Sequence, residues 1–197
     1  MMEENNIKIF TTNEFNQIAQ TKVEKIFNNL DPLKKPFNES ISSRLIINDG
    51  LTLENDISES IFSTAYEAGD HGFFMTIPVV SGNEFPGKSY HWYVPLSKRE
   101  QYSKLLWGPV ANIVFSPSCK WGIILDYEII LLGGTKEFVD SLISKCPKIE
   151  NQVHEFLDDC RYDKLRFGSS SYWLSDLMEH IYGKSKGADL LQQYNLP

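Results

Sequence analysis

The stretch from Val110 to Leu132 reads VANIVFSPSCKWGIILDYEIILL and contains three short runs rich in β-branched and apolar residues. The first and second runs are joined by the turn-like Ser116-Pro117-Ser118, and the second and third by a tight connection near Asp126-Tyr127. Short apolar runs separated by turn residues are typical of neighbouring antiparallel strands. The sequence therefore predicts a β-meander near 110–132.

Helical patterns precede the meander. Apolar residues recur at helical spacing from Thr12 to Leu30, and Asp31-Pro32 predicts the end of this helix. A second helix is predicted from Ile57 to Ala68. Ser97, with Glu100 three residues later, predicts a capping box that opens a third helix.

Three further strands are expected before the meander. They are predicted at Ile41 to Asn48, at Gly72 to Val80 and at Tyr90 to Val94, and Pro95 places the last of them near the edge or end of a sheet.

Helices dominate the remainder of the chain. Gly133-Gly134 is expected to break the strand pattern, and Thr135 can cap the helix that follows. Further helices are predicted at 149–159, 172–182 and 188–194. The order of elements predicts one α+β domain spanning 1–197, with a mostly antiparallel sheet and a helical C-terminal portion from about 135 to 197.

Composition narrows the classes of function. The chain is 42% hydrophobic and 13% aromatic, which favours a packed globule. A formal net charge of -7 disfavours nucleic-acid binding and favours a basic protein partner. The three cysteines show no CxxC spacing, and there is neither a signal core nor a membrane span, so we expect a cytoplasmic protein.

Residues Gly82 to Ser89 read GNEFPGKS, which matches the phosphate-loop pattern G-x-x-x-x-G-K-[ST]. In one interpretation the chain is a nucleotide-binding enzyme, in which Gly82, Gly87, Lys88 and Ser89 hold the phosphates and Asp126 holds magnesium.

The context of the match argues against this interpretation. Pro86 removes a backbone amide that the loop would need, and Glu84 places a negative charge beside the phosphates. The residues after Ser89 read Tyr-His-Trp-Tyr-Val-Pro, which indicates a strand where a phosphate loop requires a helix. We therefore expect residues 82–89 to connect two strands.

Histidines and carboxylates suggest other chemistries. His154 and Asp158 stand four residues apart on a predicted helix, so they could share a metal ion in a metal-dependent hydrolase, although no third ligand is marked. Asp70-His71 and His91 could form an acid and base pair. Solvated charges on an amphipathic helix and loop or core histidines are the favoured explanations of these residues, and no catalytic set, metal or cofactor is predicted.

Four tryptophans could form a binding surface, because aromatic side chains are enriched at interface anchors. The alternative is that they fill the core, as aromatic residues more often do. They are Trp92, Trp107, Trp121 and Trp173.

One segment, about residues 115–142, carries a resemblance. Phe115-Ser116-Pro117-Ser118, then Trp121-Gly122, Gly133-Gly134-Thr135 and Phe138, is similar to a segment of small, poorly characterised bacterial proteins, some of which look like immunity partners of secreted toxins. The resemblance implies an acidic, non-catalytic cytoplasmic binder of a basic toxin domain. Together with the charge, it makes a non-enzymatic protein-binding protein the favoured prediction, ahead of the nucleotide-binding enzyme and the metal-dependent hydrolase.

Overall fold

The structure is a computed structural model that describes residues 6–48, 55–78, 87–106, 110–127, 129–167 and 172–197. Within these residues, seven strands form one antiparallel sheet in the order β1-β4-β3-β5-β6-β7-β2. The strands are β1 (Lys8–Phe10), β2 (Ser43–Ile47), β3 (Gly72–Thr76), β4 (His91–Pro95), β5 (Asn112–Phe115), β6 (Trp121–Leu125) and β7 (Ile130–Gly134).

Helices surround the sheet and make up most of the chain after β7, which confirms the predicted α+β class. They are α1 (Thr12–Ile26), α2 (Asn55–Glu67), α3 (Tyr102–Leu105), α4 (Lys136–Lys145), α5 (Gln152–Phe167), α6 (Tyr172–Tyr182) and α7 (Lys184–Gln193), with 3-10 helices at Leu96–Gln101 and Pro147–Asn151. No helix in the described ranges is long and apolar enough to cross a membrane.

The predicted meander is β5-β6-β7, and every residue of these three strands is buried. Their side chains alternate between two cores, so each face of the sheet needs its own cover of helices. On one face, α2 and α4 pack over Val114, Ile123 and Leu132. On the other, α1, α5, α6 and α7 pack over residues that include Phe115 and Leu131.

The edge strand β2 contacts α5 and α6 of one helix layer and α4 of the other. The backbone N–H of Ile46 donates to the hydroxyl of Tyr182 on α6 at 3.2 Å. Burial raises the pKa of this hydroxyl far above its ordinary value, which keeps it protonated. A side chain thus occupies a hydrogen-bonding position that another strand would otherwise fill.

The prediction that Gly133-Gly134 breaks the strand pattern was wrong, because both residues belong to β7. Gly133 pairs with Gly122 of β6. A Cβ at Gly122 would lie 2.5 Å from Phe27 Cζ, and one at Gly133 would lie 2.6 Å from Ile41 Cγ2. Glycine is needed at both positions because the side chains of Phe27 and Ile41, which follow α1, lie directly on the sheet over Gly122 and Gly133.

Helix starts also differed from expectation. Ser97 does not cap a helix, because Leu96–Gln101 is a 3-10 helix whose N-cap, Pro95, makes no side-chain cap hydrogen bond. A capping box forms instead at Thr11, whose side chain accepts from the Glu14 backbone N–H while Glu14 accepts from the Thr11 backbone N–H. Thr135 caps α4 as predicted.

Two helix ends were misplaced. Helix α1 ends at Ile26, before the predicted Leu30, because Phe27 turns into extended backbone and bridges to Phe37. Helix α5 continues to Phe167, beyond the predicted end at Asp159. Since its buried apolar residues end at Leu157, apolar periodicity could not mark the exposed part.

We expect Gly122→Ala to lower the free energy of unfolding by about 1–3 kcal/mol, because the new methyl group would overlap the Phe27 ring. Urea denaturation measures the change. Phe27→Leu removes the far end of the ring, so the double variant should lose less stability than the sum of the two single variants. Simple additivity would show that the glycine is not required by this contact.

Candidate functional site

Residues 87–89, the part of the phosphate-loop match that the structure describes, do not begin a helix. Gly82 to Pro86 lie outside the described residues. Gly87 has a φ of 75° in a turn, Lys88 and Ser89 are in neither helix nor strand, and β4 follows from His91, as the sequence predicted. The amides of a helix N-terminus, on which a phosphate loop depends, are not supplied here.

Asp126, the predicted magnesium ligand, is on a distant strand. It follows β6, while Lys88 precedes β4, and β3 and β5 lie between these two strands. At about 4.8 Å per strand, three steps across the sheet separate the two positions by about 14 Å. The sheet therefore does not bring Lys88 and Asp126 together.

His154 and Asp158 lie on α5 beside Tyr194. His154 Nδ1 is 2.9 Å from the Tyr194 hydroxyl. Burial, and then the nearby Asp158 carboxylate, raises the pKa of Tyr194. Among the residues that the structure describes, no three His, Cys, Asp or Glu side chains are grouped so as to hold a metal ion. His154 thus pairs with a tyrosine, and the described residues add no third ligand to His154 and Asp158.

Asp70 lies at the centre of a buried polar cluster, with a relative exposure of 4%. Its Oδ2 accepts from Ser116 Oγ at 2.7 Å and from Trp121 Nε1 at 2.9 Å, and its Oδ1 accepts from the Ser118 backbone N–H at 3.3 Å. Hydrogen bonds to a charged acceptor compensate for the cost of burying it. This one carboxylate therefore fixes the end of α2 against the β5-β6 turn.

The predicted acid and base pair is not assembled. His71 is exposed and its ring faces Tyr66. His91 pairs with Thr76 at the far end of β3, five residues or about 17 Å along the strand from His71. Its ring stacks on Phe15, its Nδ1 lies 2.8 Å from Thr76 Oγ1, and burial lowers its pKa. The contacts of His91 are those of a partly buried histidine packed against a core phenylalanine.

The described tryptophans do not form a surface. Trp92 and Trp121 have exposures of 2% and 0%, and Trp173 is half-buried against Phe156. Trp107 lies outside the described residues. The interpretation that tryptophans fill the core holds for Trp92 and Trp121.

A feature that the sequence did not indicate is the exposed face of α5. The first two turns bury Val153, Phe156 and Leu157, whereas every residue from Arg161 to Arg166 is exposed. At 100° per residue, six exposed side chains point away from the core. We call them the outer face of α5: Glu155, Asp158, Asp159, Tyr162, Leu165 and Arg166.

This outer face combines aromatic, apolar and acidic groups. Tyr162 is 54% exposed and Leu165 is 76% exposed. The Arg166 guanidinium lies 5.6 Å from the centre of the Tyr162 ring and donates to its hydroxyl. Three carboxylates and one guanidinium leave the face negative.

His180, which no sequence pattern singled out, connects α6 to the segment before β2. Its Nε2 accepts from the Phe37 backbone N–H at 3.2 Å, and Arg44 donates to its carbonyl oxygen. Burial, and then the charges of Arg44 and Lys35, lowers the pKa of His180 to about 4. Its neutral ring ties α6 to the segment before β2.

No protein-family model, curated protein or solved structure matches the chain. The resemblance of residues 115–142 to immunity-type proteins therefore stays a prediction. The structure explains the residues that carry it in terms of packing: Ser116 and Trp121 bind Asp70, and Gly122 pairs with Gly133.

We expect Asp70→Ala to lower the free energy of unfolding by about 2–4 kcal/mol, because it leaves Trp121 Nε1 and Ser116 Oγ without their acceptor. Asp70→Asn keeps a carbonyl acceptor, so its free energy of unfolding should fall by less than that of Asp70→Ala. Chemical denaturation of both variants measures the difference. Equal losses would mean that the cluster depends on the negative charge rather than on the accepted hydrogen bonds.

Stability should fall as the solution is acidified from pH 6.5 to about 4. Because the pKa of His180 is lower in the folded protein than its ordinary 6.5, the unfolded chain binds the proton more tightly. Above pH 6.5 the neutral ring of His180 contributes fully to the stability of the folded protein. This contribution is lost as the pH falls and protonation becomes favourable. The ring is only half-buried, so we expect a loss of about 1–2 kcal/mol.

Urea unfolding of the wild type and of a His180 variant between pH 7 and 4 measures this effect. Titration of the carboxylates contributes to the pH dependence of both proteins alike. His180→Gln should reduce the pH dependence of the unfolding free energy relative to the wild type. A His180→Gln variant with the full wild-type pH dependence would contradict the assignment.

Proposed function

We propose that the chain is a non-enzymatic, cytoplasmic protein-binding protein whose partner is a basic protein domain, specifically a bacterial toxin that it neutralises as an immunity-type protein. The observation that carries the proposal is the outer face of α5, where large apolar side chains are exposed among carboxylates. The net charge of -7 and the resemblance of residues 115–142 agree with it.

Tyr162 and Leu165 have the character of interface anchors. Large apolar side chains at the centre of an interface contribute much of the binding free energy, and tyrosine is enriched among such residues. They are three residues apart on one face of a helix, so one partner groove can cover both.

The acidic residues favour a basic partner. In the described part of the chain, no ion pair joins Glu155, Asp158 or Asp159 to a basic side chain, although Asp159 accepts from Asn48 Nδ2 at 3.0 Å and Glu155 accepts from Gln152 Nε2 at 3.2 Å. Carboxylates around an apolar centre would speed the approach of a basic domain and disfavour acidic competitors.

The proposal predicts binding between the purified chain and the basic toxin domain encoded by the adjacent gene. Titration calorimetry should give a saturable complex for the wild type. Tyr162→Ala and Leu165→Asp should each weaken it by tenfold or more, because the loss of an anchor costs about 1.4 kcal/mol or more. Raising the salt concentration should slow association.

Tyr66→Ala provides the matched control, because Tyr66 is a tyrosine of similar exposure, 64%, on α2. It should leave affinity unchanged. Wild-type affinity in both α5 variants would refute the role of this face. A neighbouring gene that encodes no toxin, or a toxin domain that the chain does not bind, would refute the immunity-type function itself.

A further inference from the structure

A cleft of about 400 Å³ lies at the end of the sheet, beneath the segment that follows α1. Its wall is mostly apolar and includes Ile113 and Ile124 from the sheet, Ile129 from the connection between β6 and β7, and Leu30 from the segment above. A volume of this size is within the range of small-ligand sites, which combine apolar walls with a few placed polar groups.

Two carboxylates line this apolar cleft. Asp126 comes from the end of β6, and its Oδ1 accepts from the Tyr127 backbone N–H at 2.7 Å. Asp31 comes from the segment after α1, and its Oδ1 accepts from the Leu33 backbone N–H at 3.0 Å. These bonds fix one oxygen of each carboxylate. The other oxygen of Asp31 pairs with Lys34 Nζ at 3.1 Å.

Asn112 supplies an independent indication of a ligand. It forms part of the cleft wall and is 1% exposed. Its Nδ2 donates to the Val110 carbonyl oxygen at 3.2 Å, whereas its Oδ1 is buried without a hydrogen-bond partner among the described residues. An acceptor left in this state is unfavourable, and a ligand that carries N–H donors would correct it.

We propose that this cleft binds an alkylammonium group, that is, a positively charged amine on a short apolar chain such as the side chain of lysine. The apolar stem would pack against Ile113 and Ile124, and the ammonium would lie by Asp31 and Asp126. The largely apolar wall disfavours a bare divalent cation, which needs six or more oxygen ligands. The inference does not rest on the proposed function, because it uses no residue of the outer face of α5.

Lys34 allows a test in which two kinds of substitution should change ligand affinity in opposite directions. Its ammonium pairs with Asp31 Oδ2, and 72% of its side chain is exposed, so it competes with a ligand cation for this carboxylate. Removing this competitor should strengthen binding, while removing either carboxylate charge should weaken it. A substitution that merely disturbs the fold would not produce changes of both signs.

The experiment is an NMR titration of the whole chain with N-acetyl-lysine methylamide, following the Asn112 side-chain amide and the backbone amides of Leu125 and Asp126. We expect saturable shifts, and little response to the uncharged N-acetyl-norleucine methylamide. Asp31→Asn and Asp126→Asn should each weaken binding about two- to fivefold, and Lys34→Met should strengthen it by a similar factor. Asp140→Asn, at an exposed carboxylate that pairs with Lys136, should have no effect.

The source of the amine is tested with two further probes. Tighter binding of a Gly-Lys-Gly peptide than of n-butylammonium would assign the cleft to a protein side chain, and equal binding would assign it to a free amine; both support alkylammonium recognition. The proposal is overturned if no probe gives saturable shifts, if norleucine binds as well as lysine, if calcium alone saturates the same signals, or if the Asp31, Asp126 and Lys34 variants all bind like the wild type.

Discussion

Burial of the meander on both faces is the constraint on which the architecture depends. Every residue of β5, β6 and β7 is buried, so neither face of the sheet could be left to solvent. One layer comes mainly from α2 and α4 and the other from α1 and the C-terminal helices. The 3-10 helix Pro147–Asn151, which connects α4 of one layer to α5 of the other, contacts β2.

The sequence allowed the class of fold and most elements to be predicted, since apolar periodicity depends on local spacing. It failed where the decisive contact is distant in sequence. Gly133 is in β7 because it pairs with β2 and β6, and it is a glycine because Phe37 and Ile41 lie over it. The role of Asp70 was equally hidden, because its partners Ser116 and Trp121 are 46 and 51 residues away.

Candidate sites were harder to predict than elements. The phosphate-loop pattern could be discounted from Pro86 and from the strand after Ser89, because both are local signals. The outer face of α5 could not be found, since Tyr162 and Leu165 are indistinguishable from core residues until the position of the helix is known. The cleft depends on Leu30, Asn112 and Asp126, which three separate segments contribute. Tertiary placement, more than residue type, defines both surfaces.

The two edges of the sheet differ in how open they are. At β2, the Tyr182 hydroxyl accepts from the Ile46 N–H, and α5 and α6 lie against the strand. At the opposite edge, β1 is three residues long and Ile9 is 61% exposed. Exposed strand edges are where sheets extend from one molecule to the next. Growth of this sheet by strand addition is therefore opposed at β2, where Tyr182 already holds the Ile46 N–H, and limited at β1 to a ladder of a few residues.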